Sequence, residues 1–241
     1  MGAQVAGAGS SPSSVSTAGT GLLVCGVLAG PLFVTVTAVG IVTRDGFDLR
    51  RNGISQLSLG DRGWIQIANF ILAGLLSIAF ALGVRRTLRP GAGSRSAPVL
   101  ISGYGLGLIA TGLFLVDPGV GFPPGTPDAL PDRLSWHGAV HAVAPPVAFG
   151  LLIGVCFVFA RRFAGQHRLG FAAYCAVIGV VALALVFWPG AGGSVRSAVA
   201  VVVTSTWMTA TALTLLSEQG EDRRNGPTGR SRAWSAVHPV E

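Results

Sequence analysis

Two histidines in the stretch SWHGAVHAVAPPVAF, residues 135–149, are the side chains best placed for chemistry in this sequence. His137 and His141 are four residues apart, so a helix would carry both on one face. The same spacing suits two ligands of one zinc ion, with an aspartate of the preceding loop, such as Asp117, as the third. Because HGAVH, residues 137–141, lacks the glutamate of an HExxH motif, a zinc protease of that type is excluded.

A polar ligand pocket is a second use for the same residues. His141 falls within a strongly apolar stretch, and an ionisable side chain at membrane depth indicates a functional site. Pro145 and Pro146 have no N–H, so the carbonyls of His141 and Ala142 lose their helical donors. Such backbone is tolerated in a membrane where it lines a cavity. A third use is structural: the histidines bond Asp117 or loop carbonyls and hold the loop in place.

Two further polar side chains belong to the candidate site. Ser55 lies in a segment of mixed apolar and polar residues, 54–59, which predicts a short element lying at the membrane interface. Asn69 falls in an apolar stretch, where its amide would bridge two helices or contact a ligand. A serine hydrolase is not supported, because the G-x-S-x-G motif is absent around Ser55. The candidate ligand-binding residues are Ser55, Asn69, Asp117, His137 and His141.

The elements that must position these side chains are apolar. Of 241 residues, 50% are hydrophobic and only 11% are charged, against about 25% charged in soluble domains; the mean hydropathy is +0.61. Six stretches contain no charged residue, and about 20 apolar residues cross a bilayer. We therefore predict an all-α, polytopic membrane protein with a six-helix transmembrane bundle. The predicted spans are residues 19–42, 63–84, 98–116, 138–160, 169–188 and 197–217.

The arginines predict the orientation of this bundle. The net charge is +7, and all seventeen basic residues are arginine, which is typical of a bacterial protein from a GC-rich genome. Eleven arginines follow the second, fourth or sixth span, whereas the other loops carry six arginines and six aspartates. Because short arginine-rich loops stay in the cytoplasm, we expect a plasma-membrane protein with both termini cytoplasmic. Topology accounts for the basic excess, so we expect the lipid bilayer as partner and no nucleic acid.

The remaining segments predict tails, a cap and close helix packing. Residues 1–18 are uncharged and rich in Gly, Ser and Ala, so we expect a disordered leader, and residues 218–241 predict a disordered cytoplasmic tail. Five prolines in the loop 117–137 predict a fixed cap over one end of the bundle. Glycines spaced four apart predict close helix contacts. These pairs are Gly26 and Gly30, Gly103 and Gly107, and Gly150 and Gly154.

Several of these residues carry a family resemblance. They are Ser55-x-Leu57 with Gly60, Trp64, Asn69 and Gly74, followed by Asp117-Pro118 and Gly138-x-x-His141. This pattern resembles the six-span bacterial and archaeal family known as "domain of unknown function 998", over about residues 20–217. The resemblance implies a fold and a topology, but no activity.

Three functions remain open from the sequence. The leading hypothesis is a non-enzymatic membrane protein that binds or passes a small or lipidic ligand at an outward-facing polar pocket, with no cofactor. The alternative is a metal-assisted membrane hydrolase that uses the His137 and His141 pair, with Asp117, to hold zinc. The second alternative is a purely structural membrane protein.

Overall fold

Six α-helices and one short 3₁₀ helix make up the part of the chain that the computed structural model describes, residues 12–88 and 90–225. Inside a bilayer the backbone N–H and C=O groups must be bonded within the chain, and a helix bonds them within one segment. The 3₁₀ helix is Ile54–Ser58. The α-helices are α1 (Pro12–Thr43), α2 (Gly63–Thr87), α3 (Ser96–Leu113), α4 (Trp136–Gly165), α5 (Leu169–Phe187) and α6 (Gly193–Asn225).

All six α-helices contain a segment long and apolar enough to cross a membrane. These segments coincide with the six predicted spans, which confirms the all-α, six-span class. Large apolar side chains stand exposed around the outside of the bundle, among them Leu28, Leu75 and Leu106, each more than half exposed. An apolar surface of this extent is expected to face lipid or protein and not water. The chain is a multi-pass membrane protein.

The helices and the predicted spans differ by three residues or more at six ends, of which three concern the leader, the tail and the cap loop. Helix α1 begins at Pro12, inside the expected leader, and α6 continues to Asn225, inside the expected tail. Hydropathy marks where a helix enters lipid, and a helix can continue into water beyond that point when its residues favour helix. Helix α3 ends at Leu113, three residues before the predicted end of its span. The rest of the leader and tail, residues 1–11 and 226–241, lies outside the described residues.

The helices form a closed ring in chain order. Each packs against its neighbours in the sequence, and α6 returns to pack against α1. The closest approach joins α2 and α3 at Gly74 and Gly105. A Cβ on Gly74 would come within 2.6 Å of the Gly105 carbonyl oxygen, and a Cβ on Gly105 within 2.7 Å of the Gly74 oxygen. Only residues without a side chain allow two helices to approach so closely.

The two ends of the ring are filled differently. We call the end formed by residues 44–62, 114–135 and 188–192 the loop face. In the half of the bundle away from it, the interior is packed with fully buried aromatic rings, namely Phe80, Phe159, Phe163 and Trp207. In the half next to the loop face, the buried cluster is smaller and consists of Phe33, Phe70 and Ala73. The cavities that concern function lie in this second half.

Candidate functional site

Two loops join to cover the bundle at the loop face. We call residues 44–62 the first loop and residues 114–135 the cap loop. Asn52 donates its side-chain amide to the Val120 carbonyl at 3.1 Å, and Gln56 donates to the Gly119 carbonyl at 2.9 Å. Arg51 and Asp128 form an ion pair at the surface. The cap loop is therefore fixed to the first loop, as its prolines predict.

The cap loop also has internal order. The Val120 N–H donates to the Ala129 carbonyl at 2.9 Å, and Phe122 is fully buried with its ring edge-on to Phe47 at 5.3 Å. The Arg44 guanidinium lies over the Phe122 ring, 5.4 Å from its centroid, where a cation is attracted by the π-electrons. Phe122 thus anchors the cap loop in the protein interior.

The segment that contains Ser55 is placed differently from the prediction. Residues 54–58 form the 3₁₀ helix, and its Gln56, Leu57 and Ser58 are buried, with Leu57 only 1% exposed. The prediction of an element lying at the membrane interface is therefore wrong. A mixed pattern over six residues does not distinguish an element on the membrane surface from one enclosed between two helices and a loop. Burial beneath the cap loop brings Ser55 to the centre of the loop face.

A cavity of about 270 Å³, the cap cavity, lies between the cap loop, the 3₁₀ helix and the start of α4. Three of the five candidate residues, Ser55, Asp117 and His141, line it together with Arg51. Its volume is close to the lower end of the range of about 300–1,000 Å³ that is usual for ligand pockets. The cavity is the one place where the predicted site residues from three separate segments of the chain meet.

Both carboxylate oxygens of Asp117 accept hydrogen bonds from Ser135. The Ser135 N–H donates to Oδ2 at 2.8 Å and the Ser135 hydroxyl to Oδ1 at 2.6 Å. Ser135 is the N-cap of α4, and its hydroxyl oxygen accepts from the Gly138 N–H at 3.0 Å. A negative charge at the N-terminus of a helix is stabilised by the helix dipole. Asp117 therefore fixes the end of the cap loop to the start of α4.

His141 joins α4 to the end of α3. Its ring is 5% exposed, and Nδ1 lies 2.7 Å from the carbonyl oxygen of Phe114, the C-cap of α3. A carbonyl can only accept, so Nδ1 carries the proton, and in neutral His141 Nε2 keeps its lone pair. The alternative in which a histidine bonds a loop carbonyl is confirmed for His141. Helix α4 continues through Pro145 and Pro146.

His137 does not join His141 in the cavity. Its side chain is exposed and stacks on Trp136, with 3.6 Å between the ring centroids. Over residues 12–88 and 90–225, no three His, Cys, Asp or Glu side chains are grouped so that they could hold a metal ion. The hypothesis of zinc on His137, His141 and Asp117 therefore has no support from the arrangement of the side chains.

Asn69 lies on another side of the bundle, between α1 and α2. Its Nδ2 donates to the Phe33 carbonyl at 3.1 Å and to the Thr37 hydroxyl at 3.2 Å. Gln66 completes this buried group, with its Nε2 3.1 Å from the Thr37 hydroxyl. Asn69 thus bridges two helices and does not line the cap cavity.

A second cavity of about 120 Å³, the inner cavity, lies deeper in the bundle. It shares Gly53 and Ser55 with the cap cavity, and aromatic and aliphatic side chains form most of its wall. Tyr104 and Thr111 of α3 add polar groups. No pattern in the sequence predicts this cavity, because its wall comes from five helices and the first loop. Gly53 and Ser55 therefore lie between the cap cavity and a second, apolar space.

Comparison with known proteins identifies a family for this chain. The model of a family described as a protein of unknown function, DUF998, matches residues 27–214, more than three quarters of the chain. The match contains the cap loop, the 3₁₀ helix and the five candidate residues. No curated protein and no solved structure matches the chain. The chain therefore belongs to the DUF998 family.

Proposed function

We propose that this protein is a bacterial plasma-membrane protein with both termini in the cytoplasm and the loop face outside the cell. The arginine excess in the loops opposite the loop face supports this orientation, since short basic loops stay in the cytoplasm. Trp64, Trp136 and Trp188 support it too, because all three lie at the loop face and are about two thirds exposed. Tryptophan prefers the membrane–water interface.

We propose further that the protein binds a small or lipidic ligand in the cap cavity. The observation that carries this proposal is the meeting of Arg51, Ser55, Asp117 and His141 around one space, which shares Gly53 and Ser55 with an apolar cavity. A ligand with a polar group and a short apolar part would match the polar side chains of the cap cavity and the apolar wall beside them. Polar groups that converge in an otherwise apolar pocket are typical of ligand sites.

Binding is favoured over passage through the bundle. Phe80, Phe159 and Trp207 fill the interior on the far side of the inner cavity, and each is fully buried. The Phe159 and Trp207 rings are 5.9 Å apart in an edge-to-face arrangement. Close-packed aromatic rings leave no space for a ligand to cross.

A structural role is the second candidate, because the polar groups of the cap cavity already have partners in the protein. Asp117 accepts two hydrogen bonds from Ser135, and His141 donates to Phe114. Hydrogen bonds of this kind hold loops to helices without any ligand. The metal-assisted hydrolase has no comparable support. Zinc present in stoichiometric amount in the purified wild type and lost in His141→Ala would favour the hydrolase.

Ala142→Phe separates binding from a structural role. Ala142 is exposed on the wall of the cap cavity, and a phenyl group there would occupy the cavity without removing a hydrogen bond. Ala139→Phe is the matched control, because Ala139 is also exposed on α4 but does not line the cavity. The full chain would be purified in dodecyl maltoside, and the molecules that remain bound would be identified by native mass spectrometry.

The binding proposal expects at least one species that is bound to the wild type and to Ala139→Phe and is lost from Ala142→Phe at an unchanged melting temperature. Equal retention of every bound species by all three proteins, or no bound species on any, would contradict it. If none binds a ligand and His141→Ala lowers the melting temperature, the structural candidate is supported in its place.

A further inference from the structure

A third cavity of the loop-face half lies between α1 and α2, on the side that faces lipid. It is a groove of about 450 Å³ between the upper parts of α1 and α2, which we call the lateral groove. Val36, Val39 and Gly40 of α1 form one wall, and Ile65 of α2 lies on the other. The floor is Leu57 of the 3₁₀ helix. Leu57 packs close to α1 because Gly40 has no side chain: a Cβ at Gly40 would lie only 3.2 Å from Cδ1 of Leu57.

The groove is apolar along its length and basic at its open end. Its two charged residues, Arg44 and Arg62, are the residues directly after the first membrane segment, Gly19–Thr43, and directly before the second, Gly63–Thr87. They therefore lie at the depth of the lipid headgroups. The neighbouring carboxylates, Asp45 and Asp61, are exposed and do not line the groove.

Both arginines have guanidinium N–H groups that could bind an anion. Arg44 donates through Nη1 to the Leu57 carbonyl at 3.1 Å and through Nη2 to the Leu59 carbonyl, which uses two of the five N–H groups of a guanidinium. Arg62 is exposed, and within the described part of the chain its side chain has no hydrogen bond or ion pair. It is also the N-cap residue of α2. A cation is unfavourable at the N-terminus of a helix unless an anion lies beside it.

We infer that the lateral groove binds one anionic phospholipid from the leaflet at the loop face. The phosphate lies between Arg44 and Arg62, whose guanidinium groups match the geometry of phosphate oxygens. An acyl chain follows the apolar wall, and the nine residues from Thr35 to Thr43 give it a path of about 12 Å along α1. A soluble anion would use only the basic end, so the apolar wall favours a lipid.

The test is competition between two lipids for the purified full chain. Dioleoyl phosphatidylglycerol and dioleoyl phosphatidylcholine share their acyl chains and differ in net charge. Native mass spectrometry measures their apparent affinities for the wild type, Arg62→Gln and the control Arg50→Gln. Arg50 is exposed in the first loop and does not line the groove. Val39→Phe fills the groove, and Ala142→Phe fills the cap cavity.

The wild type and Arg50→Gln are expected to prefer phosphatidylglycerol by about fivefold or more, and Arg62→Gln to lose about fivefold of that preference. Val39→Phe should weaken both lipids, while Ala142→Phe should leave the preference intact. Equal affinity for the two lipids, or the same preference in Arg62→Gln and Arg50→Gln, would overturn the inference. So would full competition by inorganic phosphate, or loss of the preference in Ala142→Phe alone, which would place the lipid in the cap cavity.

Discussion

Replacing Asp117 by alanine tests how the cap loop is held to α4. The substitution removes two hydrogen bonds to Ser135, at 2.8 and 2.6 Å, and frees the Ser135 hydroxyl that caps α4. A hydrogen bond to a charged group contributes about 1.5–3 kcal/mol, and loss of an N-cap about 1 kcal/mol. Because Asp117 is only half-buried and water can replace part of these bonds, we expect the free energy of unfolding to fall by about 2 kcal/mol, less than the two bonds would contribute together.

The double variant with Ser135→Ala makes this prediction specific. Since both substitutions break the same group of hydrogen bonds, their effects should not add, and the double variant should be at least about 1 kcal/mol more stable than the sum of the two single effects implies. The free energies come from reversible unfolding by sodium dodecyl sulfate in dodecyl maltoside micelles, followed by tryptophan fluorescence. Asp132→Ala is the control, because Asp132 is exposed in the same loop.

We expect Asp132→Ala to change the free energy of unfolding by less than about 0.5 kcal/mol. The reasoning is refuted if Asp117→Ala is no more destabilising than Asp132→Ala, or if the effects of Asp117→Ala and Ser135→Ala add completely.

Two further substitutions probe the same end of the bundle. His141→Ala should lower the free energy of unfolding by about 1–3 kcal/mol because the Phe114 carbonyl loses its donor. His141→Asn should lower it less, because the asparagine amide can replace Nδ1 as donor. Equal losses of stability in the two variants would argue against this hydrogen bond. Gly138→Ala should destabilise because its methyl group would overlap the Asp117 carboxylate, whereas Gly150→Ala, with open space beside it, should stabilise by up to about 1 kcal/mol. Thermal unfolding of the four variants checks both, and a stabilising Gly138→Ala would contradict the geometry of the cap.

The six spans could be predicted from the sequence because lipid imposes a simple rule. A helix that crosses the bilayer needs about 20 apolar residues, and a charge inside it is costly. The ends of the helices do not follow this rule. Residues 12–18 and 218–225 are too polar to count as span but continue their helices, because hydropathy marks the part of a helix that lies in lipid and not the point where the helix ends.

Helix contacts were predicted less well than the spans. A Cβ on Gly30 or Gly107 would come within 3.0 Å of another helix, as their spacing predicts, but Gly150 faces open space. The closest contact, between Gly74 and Gly105, belongs to none of the predicted pairs. Spacing along one helix identifies a face of small residues, but which helix lies opposite depends on the whole ring.

Only part of the candidate site could be predicted, because contacts between distant segments of the chain leave no pattern in the sequence. Asp117 and His141 flank the loop that joins α3 to α4, so a contact between this loop and the start of α4 could be predicted. Ser55 reaches them only because Asn52 and Gln56 fix the first loop to the cap loop through backbone carbonyls. A side-chain amide that bonds a distant carbonyl has no periodicity in the sequence.

Accessibility of single cysteines from the two sides of the membrane tests the central claim most directly. In a chain with Cys25, Cys156 and Cys175 replaced by alanine, Arg86→Cys and Asp132→Cys would each place one exposed thiol at an end of the bundle. Six crossings with cytoplasmic termini require that a membrane-impermeant maleimide added to intact cells labels Asp132→Cys and leaves Arg86→Cys unlabelled until the cells are opened. Labelling of both thiols in intact cells, or of Arg86→Cys alone, would contradict the orientation and the outward-facing cap cavity.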